Sequence, residues 1–231
     1  MTRGKKAKRS QAASREDVAA LVAKNVLSER AALTFVPSEF LAASIELLEK
    51  YLEARALSDN EKKSLRGYVF QRLVAESLRI AGIDPIHTEA FVTFVPIAKY
   101  DIIVPTKLEG IVNLSVKTTL RERWKQAEFE GIALKRVHRR SRIYVVSKDA
   151  DETRKRRAQI DQCEAIDDFI DCTSADFDAL VAAILSWEPT SLPPVPVISP
   201  DGRRHPIDAM LCDQGYSQRR RIDFGKSGKA P

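Results

Sequence analysis

Three side chains near the middle of the chain could perform hydrolytic chemistry together: Asp101, Lys117 and Glu130. Tyr100 to Val104 and Ile111 to Lys117 read as two strands, with Thr106-Lys107-Leu108-Glu109-Gly110 as a hairpin link. If that hairpin is centred near residue 108, antiparallel partners have numbers summing to about 216, and Asp101 lies opposite roughly residue 115. Alternation then sends Asn113, Ser115 and Lys117 to one face and Val112, Leu114 and Val116 to the other, toward a core. A carboxylate and an ammonium meet at the ends of paired strands. Glu130 stands thirteen residues after Lys117, about three turns along a helix that starts near Thr119. Two carboxylates converging near one lysine suit phosphodiester hydrolysis. The carboxylates offer Mg²⁺ hard oxygen ligands, the metal polarises the phosphate and acidifies a bound water, and the lysine steadies developing charge. The plainer alternative is a cross-strand Asp101–Lys117 ion pair with Glu130 on a solvated helix face.

Other chemistries find little support. His87, His138 and His205 are scattered, and no pair has zinc spacing. Cys163, Cys172 and Cys212 are odd in number and lack a CxxC pair, which argues against a disulfide scaffold and a structural zinc site. Glycine is scarce, at nine residues, and no GxxxxGK[ST] loop is present to cradle phosphates.

The string around the three residues resembles a known family. Tyr100-Asp101, then the run from Ser115 through Val116-Lys117-Thr118-Thr119-Leu120-Arg121-Glu122-Arg123-Trp124-Lys125 to Gln126, then Glu130, is similar to the PD-(D/E)xK nuclease superfamily. More narrowly it resembles restriction endonucleases that cut sites containing CC and GG, including the EcoRII-type catalytic domain. The resemblance implies that Ser115 replaces the usual carboxylate two residues before the lysine, and that Glu130 takes over its metal-binding role. It implies that Asp101 and Glu130 hold Mg²⁺, that Lys117 is catalytic, and that Arg121, Glu122 and Arg123 read bases. Arginine matches guanine O6 and N7, and a carboxylate can accept from cytosine N4 in the major groove. The structural alternatives are a capping box between Thr119 and Glu122 and phosphate contacts by the arginines. Trp124 and Phe129 are expected in the core rather than as base-stacking platforms. The sequence departs from the family pattern at Tyr100, where the motif has Pro. Arg66-Gly67 is followed by Gln71, which leaves Glu76 as the weak acidic candidate on the first core helix.

These residues need elements to position them. Ser14 to about Arg30, Pro37 to about Ala56, and Ser58 to the Gly82/Pro85 stop read as helices, with Ser58 and Glu61 spaced as a capping box. His87 to Pro96 reads as a further strand ahead of the hairpin. Leu120 to about Lys135 reads as helix, Ile143–Val146 as a buried strand, and Asp151 to about Ala165 and Ser174 to Trp187 as helices. The order predicts an α/β fold with a mixed central sheet flanked by helices, and the resemblance implies that its core is restriction-endonuclease-like. Expected boundaries are a basic flexible arm (1–13), an N-terminal helical region (14–57), a nuclease core (58–187) and an irregular, Pro-rich C-terminal extension (188–231). Seven of the eleven prolines fall in that last stretch.

Composition agrees with a folded, polyanion-binding chain. The 231 residues are 44% hydrophobic and 30% charged, with net charge +6, enough apolar content to exclude wholesale disorder. The charge is concentrated. Residues 1–15 carry six basic side chains and no acid. Residues 117–142 carry nine basic and three acidic, and the remainder nets −6. Two basic patches on an otherwise acidic chain are how a polyanion-binding surface would look, and the plainer alternative is a disordered tail plus a solvated helix face. No apolar run approaches membrane length, and the basic N-terminus lacks the apolar core of a secretory signal. Composition leads to the expectation of a soluble, cytoplasmic protein without membrane contact, and the resemblance implies that it is a type II site-specific deoxyribonuclease. It would act on double-stranded DNA at a short palindrome, as a homodimer matching the symmetry of the site, with a partner DNA methyltransferase implied by the resemblance. The alternatives are a sequence-independent repair nuclease of the same superfamily, and a non-catalytic nucleic-acid-binding regulator.

Overall fold

The computed structural model describes residues 3–29, 35–191 and 197–198. Three helices come first: α1 (Arg3–Glu29), α2 (Pro37–Glu53) and α3 (Asp59–Ile80). The backbone of residues 3–13 continues α1, where the sequence suggested a flexible arm. Ala, Lys, Arg and Gln dominate that stretch and favour helix, and no Gly or Pro interrupts it after Gly4. Pro37 opens α2 at a position where its missing N–H is not needed. The expected capping box opens α3: Ser58 Oγ accepts from the Glu61 N–H, and the Ser58 N–H donates to Glu61 Oε2 at 3.0 Å. The same helix ends in a Schellman motif. Gly82, at φ +97°, donates to the Arg79 carbonyl (2.9 Å), and Ile83 donates to the Leu78 carbonyl (3.0 Å).

The sheet follows. β1 (His87–Val92), β2 (Val95–Thr106) and β3 (Gly110–Lys117) form an antiparallel meander. Then come α4 (Trp124–Val137), β4 (Arg142–Ser147), α5 (Ala150–Arg157), a short 3₁₀ turn, β5 (Asp168–Asp171), α6 (Ala175–Ser186) and β6 (Val197–Ile198). The strand order is β5-β4-β3-β2-β1-β6, with β3, β4 and β5 parallel and the remaining pairs antiparallel. The fold is therefore α/β with a mixed sheet. β5 was not legible in the sequence. Its four residues, Asp-Phe-Ile-Asp, are too few to establish a period, and its place comes from pairing with β4. The expected helix Asp151 to Ala165 stops at Arg157, and its far half is turn. Most of the expected C-terminal extension lies outside the described residues. Its first residues are tied to the sheet by a Thr106–Pro189 bridge and by β6 pairing with β1.

The two faces of the sheet bury different partners. Ile102, Val104, Val112, Leu114, Val116 and Val146 pack with α1, α2, α3 and α6 in one core. Ile103, Ile111, Ile143, Val145 and Phe169 face α4 in the other, joined by Tyr100 and Ala98 of β2. The alternation along β3 thus supports helices on both sides, and the residues at odd numbers look toward α4.

α4 is seated on the sheet by three devices. A Cβ at Gly131 would stand 3.0 Å from Ala165 Cβ and 3.2 Å from Ile143 Cγ1, so only glycine allows this approach without displacement. Glu128 accepts from the backbone N–H groups of Glu164, Ala165 and Ile166. Tyr100 donates its hydroxyl to the Glu130 carbonyl at 3.1 Å. The first of these works by contact distance and the other two by direction. Together they fix both the height and the rotation of the helix that carries Glu130.

Candidate functional site

The register places the hairpin residues where the arithmetic put them. Ile102 pairs with Leu114 and Thr106 with Gly110, so Asp101 stands one step beyond, across from Ser115. Lys117 Nζ donates to Asp101 Oδ2 at 2.7 Å. The same oxygen accepts the Val116 N–H at 2.9 Å and lies 3.5 Å from Ser115 Oγ, at the limit of hydrogen bonding. The lysine side chain is only 9% exposed and the aspartate 25%. On its other side Asp101 is held through its backbone, where Gln71 Nε2 of α3 donates to the carbonyl at 2.9 Å. All of these side-chain contacts fall on Oδ2.

Glu130 completes the group from α4. It is half-buried, and Gln126 Nε2 donates to its Oε1 at 2.7 Å. Burial raises its pKa above the ordinary carboxylate value. The Gln126 hydrogen bond and the Lys117 charge oppose the shift, and the Asp101 charge adds to it. Glu130 therefore senses both hairpin charges. Burial likewise holds the Tyr100 phenol well above its usual range, so it stays a protonated donor to α4. Lys117 pairs with Ser147 of β4, and Ser147 with Asp171 of β5. The cluster thus lies at the carboxyl end of the parallel strands, where open α/β sheets characteristically bind ligands.

Arg121, Glu122 and Arg123 lie in a turn ahead of α4 rather than in its first turn. The helix starts at Trp124, later than the expected Leu120. The structural alternative of a Thr119–Glu122 capping box does not form: the N-cap is Arg123, without a side-chain bond, and Glu122 pairs with Lys125. All three side chains are exposed. Among the described residues no hydrogen bond or ion pair engages the guanidinium of Arg121 or Arg123.

Two further expectations are corrected or relocated. Phe129, expected in the core, is 72% exposed, because Ala127, Gly131 and Leu134 form the buried stripe of α4 and Phe129 falls opposite it. Trp124 does pack on the second core, edge-on to Phe169 with centroids 6.4 Å apart. Glu76 is buried in α3 and pairs with Arg79 at 2.8 Å. The α3 residue that touches the site strand is Gln71, one and a half turns earlier.

Sequence reasoning missed two residues near the site. Asn113 is fully buried on the Ser115/Lys117 side of β3, and neither amide atom has a hydrogen-bond partner among the described residues. Glu152 of α5 accepts from the N–H groups of Leu120 and Arg121. Nothing in the linear sequence distinguishes Glu152 from any acid in a helix first turn. Asn113 was placed on the correct face, but its lack of partners required coordinates.

No group of three or more His, Cys, Asp or Glu side chains able to hold a metal ion occurs among the described residues. The carboxylates at this site are two, Asp101 and Glu130. That donor set fits Mg²⁺, which binds through one or two carboxylates and keeps its remaining positions for water and substrate phosphate. No described helix is long and apolar enough to cross a membrane.

Comparison with known proteins finds no matching family model and no matching curated protein. A solved structure to which the chain is similar is a restriction endonuclease PspGI–substrate DNA complex, at 17% identity and a TM-score of 0.49, covering 75% of this chain and 83% of that one.

Proposed function

We propose that this chain is a Mg²⁺-dependent type II restriction endonuclease that hydrolyses double-stranded DNA at a short palindrome containing CC and GG. The observation that carries the reading is the Lys117–Asp101 contact at 2.7 Å, with Glu130 on the helix that Tyr100, the neighbour of Asp101, ties to the sheet. An ion pair serving stability alone has no need of a second, half-buried carboxylate on the helix that packs on the same side of the sheet.

In this reading Asp101 and Glu130 hold the metal. Bound there, Mg²⁺ would polarise the scissile phosphate and lower the pKa of a water ligand. Lys117, already positioned by Asp101, orients the attacking water and donates to the phosphate oxygens as negative charge builds. Ser115 and the Val116 N–H keep Asp101 in place, and Gln71 fixes the strand behind it. Arg121, Glu122 and Arg123 meet base edges from an exposed turn that directly follows the catalytic strand. That arrangement links recognition to chemistry through a few residues of backbone. The nuclease unit is residues 58–187. The active form is a cytoplasmic homodimer with the N-terminal helices as candidate interface, and a methyltransferase of matching specificity protects the host DNA.

The deciding experiment is digestion of plasmid DNA with magnesium, followed by sequencing of the ends. Discrete fragments whose termini share a CC/GG-containing palindrome are expected, and Lys117→Ala should abolish them while retaining specific binding. A smear would instead assign a sequence-independent nuclease. No cleavage by the wild-type protein, with DNA binding intact, would make it a non-catalytic regulator.

A further inference from the structure

The turn carrying Arg121, Glu122 and Arg123 is closed by a backbone bond from the Arg123 N–H to the Leu120 carbonyl at 2.7 Å, which leaves the Leu120 and Arg121 N–H groups to find partners elsewhere. Arg121 has φ +21°, a conformation that side chains other than glycine rarely adopt, and the N-cap Arg123 makes no capping bond. Those two N–H groups are held from α5. A single carboxylate oxygen, Glu152 Oε2, accepts from the Leu120 N–H at 2.6 Å and from the Arg121 N–H at 3.1 Å. Four residues along α5, and hence on the same helix face, the Arg156 guanidinium lies 5.0 Å above the Trp124 ring, at the first residue of α4. The helix that supplies both contacts is itself anchored. Asp149 caps it by accepting from the Glu152 N–H at 3.0 Å, and Arg157 pairs with Asp168 of β5 and Asp176 of α6. A continuous chain of charge-assisted bonds therefore runs from β5 and α6, through α5, to the backbone of the turn.

We infer that Glu152 is a specificity-determining positioning residue: it clamps the Leu120–Arg121 backbone so that Arg121 and Arg123 project in one fixed orientation. This rests on the reading that those arginines meet DNA bases. Base discrimination requires a bidentate fork held to a few tenths of an ångström, whereas phosphate contact tolerates drift. A strained backbone persists only where its surroundings over-determine it, and the two bonds to Glu152 add that restraint to the bond that closes the turn. Glu152 sits on an element distinct from Asp101, Lys117 and Glu130, so it acts through the turn and not on the reacting phosphate.

The test uses the full chain in three forms: wild type, Glu152→Ala and Glu152→Gln. Hydrogen exchange is read at the Leu120 and Arg121 amides. Binding without divalent metal is measured on two duplexes, one bearing the site recovered from plasmid ends and one with a single G·C pair of that site exchanged. Glu152→Ala should speed exchange at both amides, and should cut the ratio of the two affinities by roughly tenfold, the scale of one lost base contact. Glu152→Gln keeps a neutral acceptor and should shift both readouts the same way by less, which also decides the matter if the alanine variant does not fold. Unchanged exchange with unchanged discrimination overturns the inference. So does equal weakening on both duplexes, the signature of a general structural role. If the wild type itself fails to discriminate, the restriction-enzyme reading fails. The specificity role falls with it, while exchange at the two amides still decides whether the clamp exists.

Discussion

Replacing Lys117 by Met, Asp101 by Asn, and both together forms a cycle that measures the contact on which the site is built. At 2.7 Å the two charges attract by roughly 6 kcal/mol at an effective dielectric near 20. Withdrawing the ammonium from water until 9% of the side chain remains exposed offsets several kcal/mol of that attraction. A net coupling of about 2–3 kcal/mol is expected. The single Lys117→Met variant should lose about 3 kcal/mol, at the low end for a broken buried pair, because Asp101 keeps 25% exposure and the Val116 N–H at 2.9 Å. Urea unfolding of the metal-free protein at neutral pH reads all four corners. The coupling should change little when salt is raised to about 0.5 M, since a pair this enclosed is poorly screened. A coupling below about 0.5 kcal/mol, the range of exposed surface pairs, would refute the claim that the fold holds these groups together at close quarters.

Glu130 contributes to stability with the opposite sign to a salt-bridged acid. Its folded pKa lies above the ordinary 4.5, chiefly through burial, so the native state binds a proton more tightly than the unfolded chain, and stability falls as pH rises from that value through the raised one. Glu130→Gln should therefore gain stability over the wild type as pH is raised across this window, and a difference independent of pH would contradict the assignment. Asn113→Val removes two buried amide atoms that lack partners. It should raise unfolding stability by about 1–3 kcal/mol, and a loss of stability in the urea transition would show that the amide is satisfied in solution. Arg123→Ala should cost roughly 1–3 kcal/mol of discrimination at one base pair in competitive binding, and equal weakening on every sequence would make it a phosphate contact.

The parts of this site legible in the sequence are those set by short-range periodicity. The strand alternation put Ser115 and Lys117 on one face, and the Thr106–Gly110 link fixed the register that brings Asp101 across from Ser115. A hairpin is a local object, and a slip of one residue would have turned Val112, Leu114 and Val116 out of their core, so the apolar pattern alone selects the pairing. The start of α4 was not legible to the same degree. Thr119 and Glu122 have the spacing of a cap, yet Glu152, from an element thirty residues away in the chain, binds the N–H groups of Leu120 and Arg121 and the helix begins at Trp124 instead. Phe129 failed for a related reason. Its apolar character argued for burial, but the face of α4 that meets the sheet is fixed by Gly131 lying against Ala165 and Ile143, and that contact turns Phe129 outward.

The same distinction explains why the meeting of Asp101 and Lys117 could be expected before the fold was known, but not the approach of α4. Asp101 and Lys117 lie on adjoining strands, so their meeting follows from register. Glu130 reaches them only if α4 lies close to the sheet and is turned correctly about its own axis. Glycine at 131 sets the closeness, and the Tyr100 hydroxyl on the Glu130 carbonyl sets the rotation. Tyr100 adjoins Asp101 in the chain, so one pair of neighbouring residues supplies a carboxylate to the cluster and steadies the helix that carries the other carboxylate. Displacing either β2 or α4 alone would break the Tyr100 contact, and α4 is held besides against Ile143 and residues 164–166 through Gly131 and Glu128. The geometry of the cluster is therefore set jointly, by the hairpin register for Asp101 and Lys117 and by the seating of α4 on β2, β4 and the segment before β5 for Glu130.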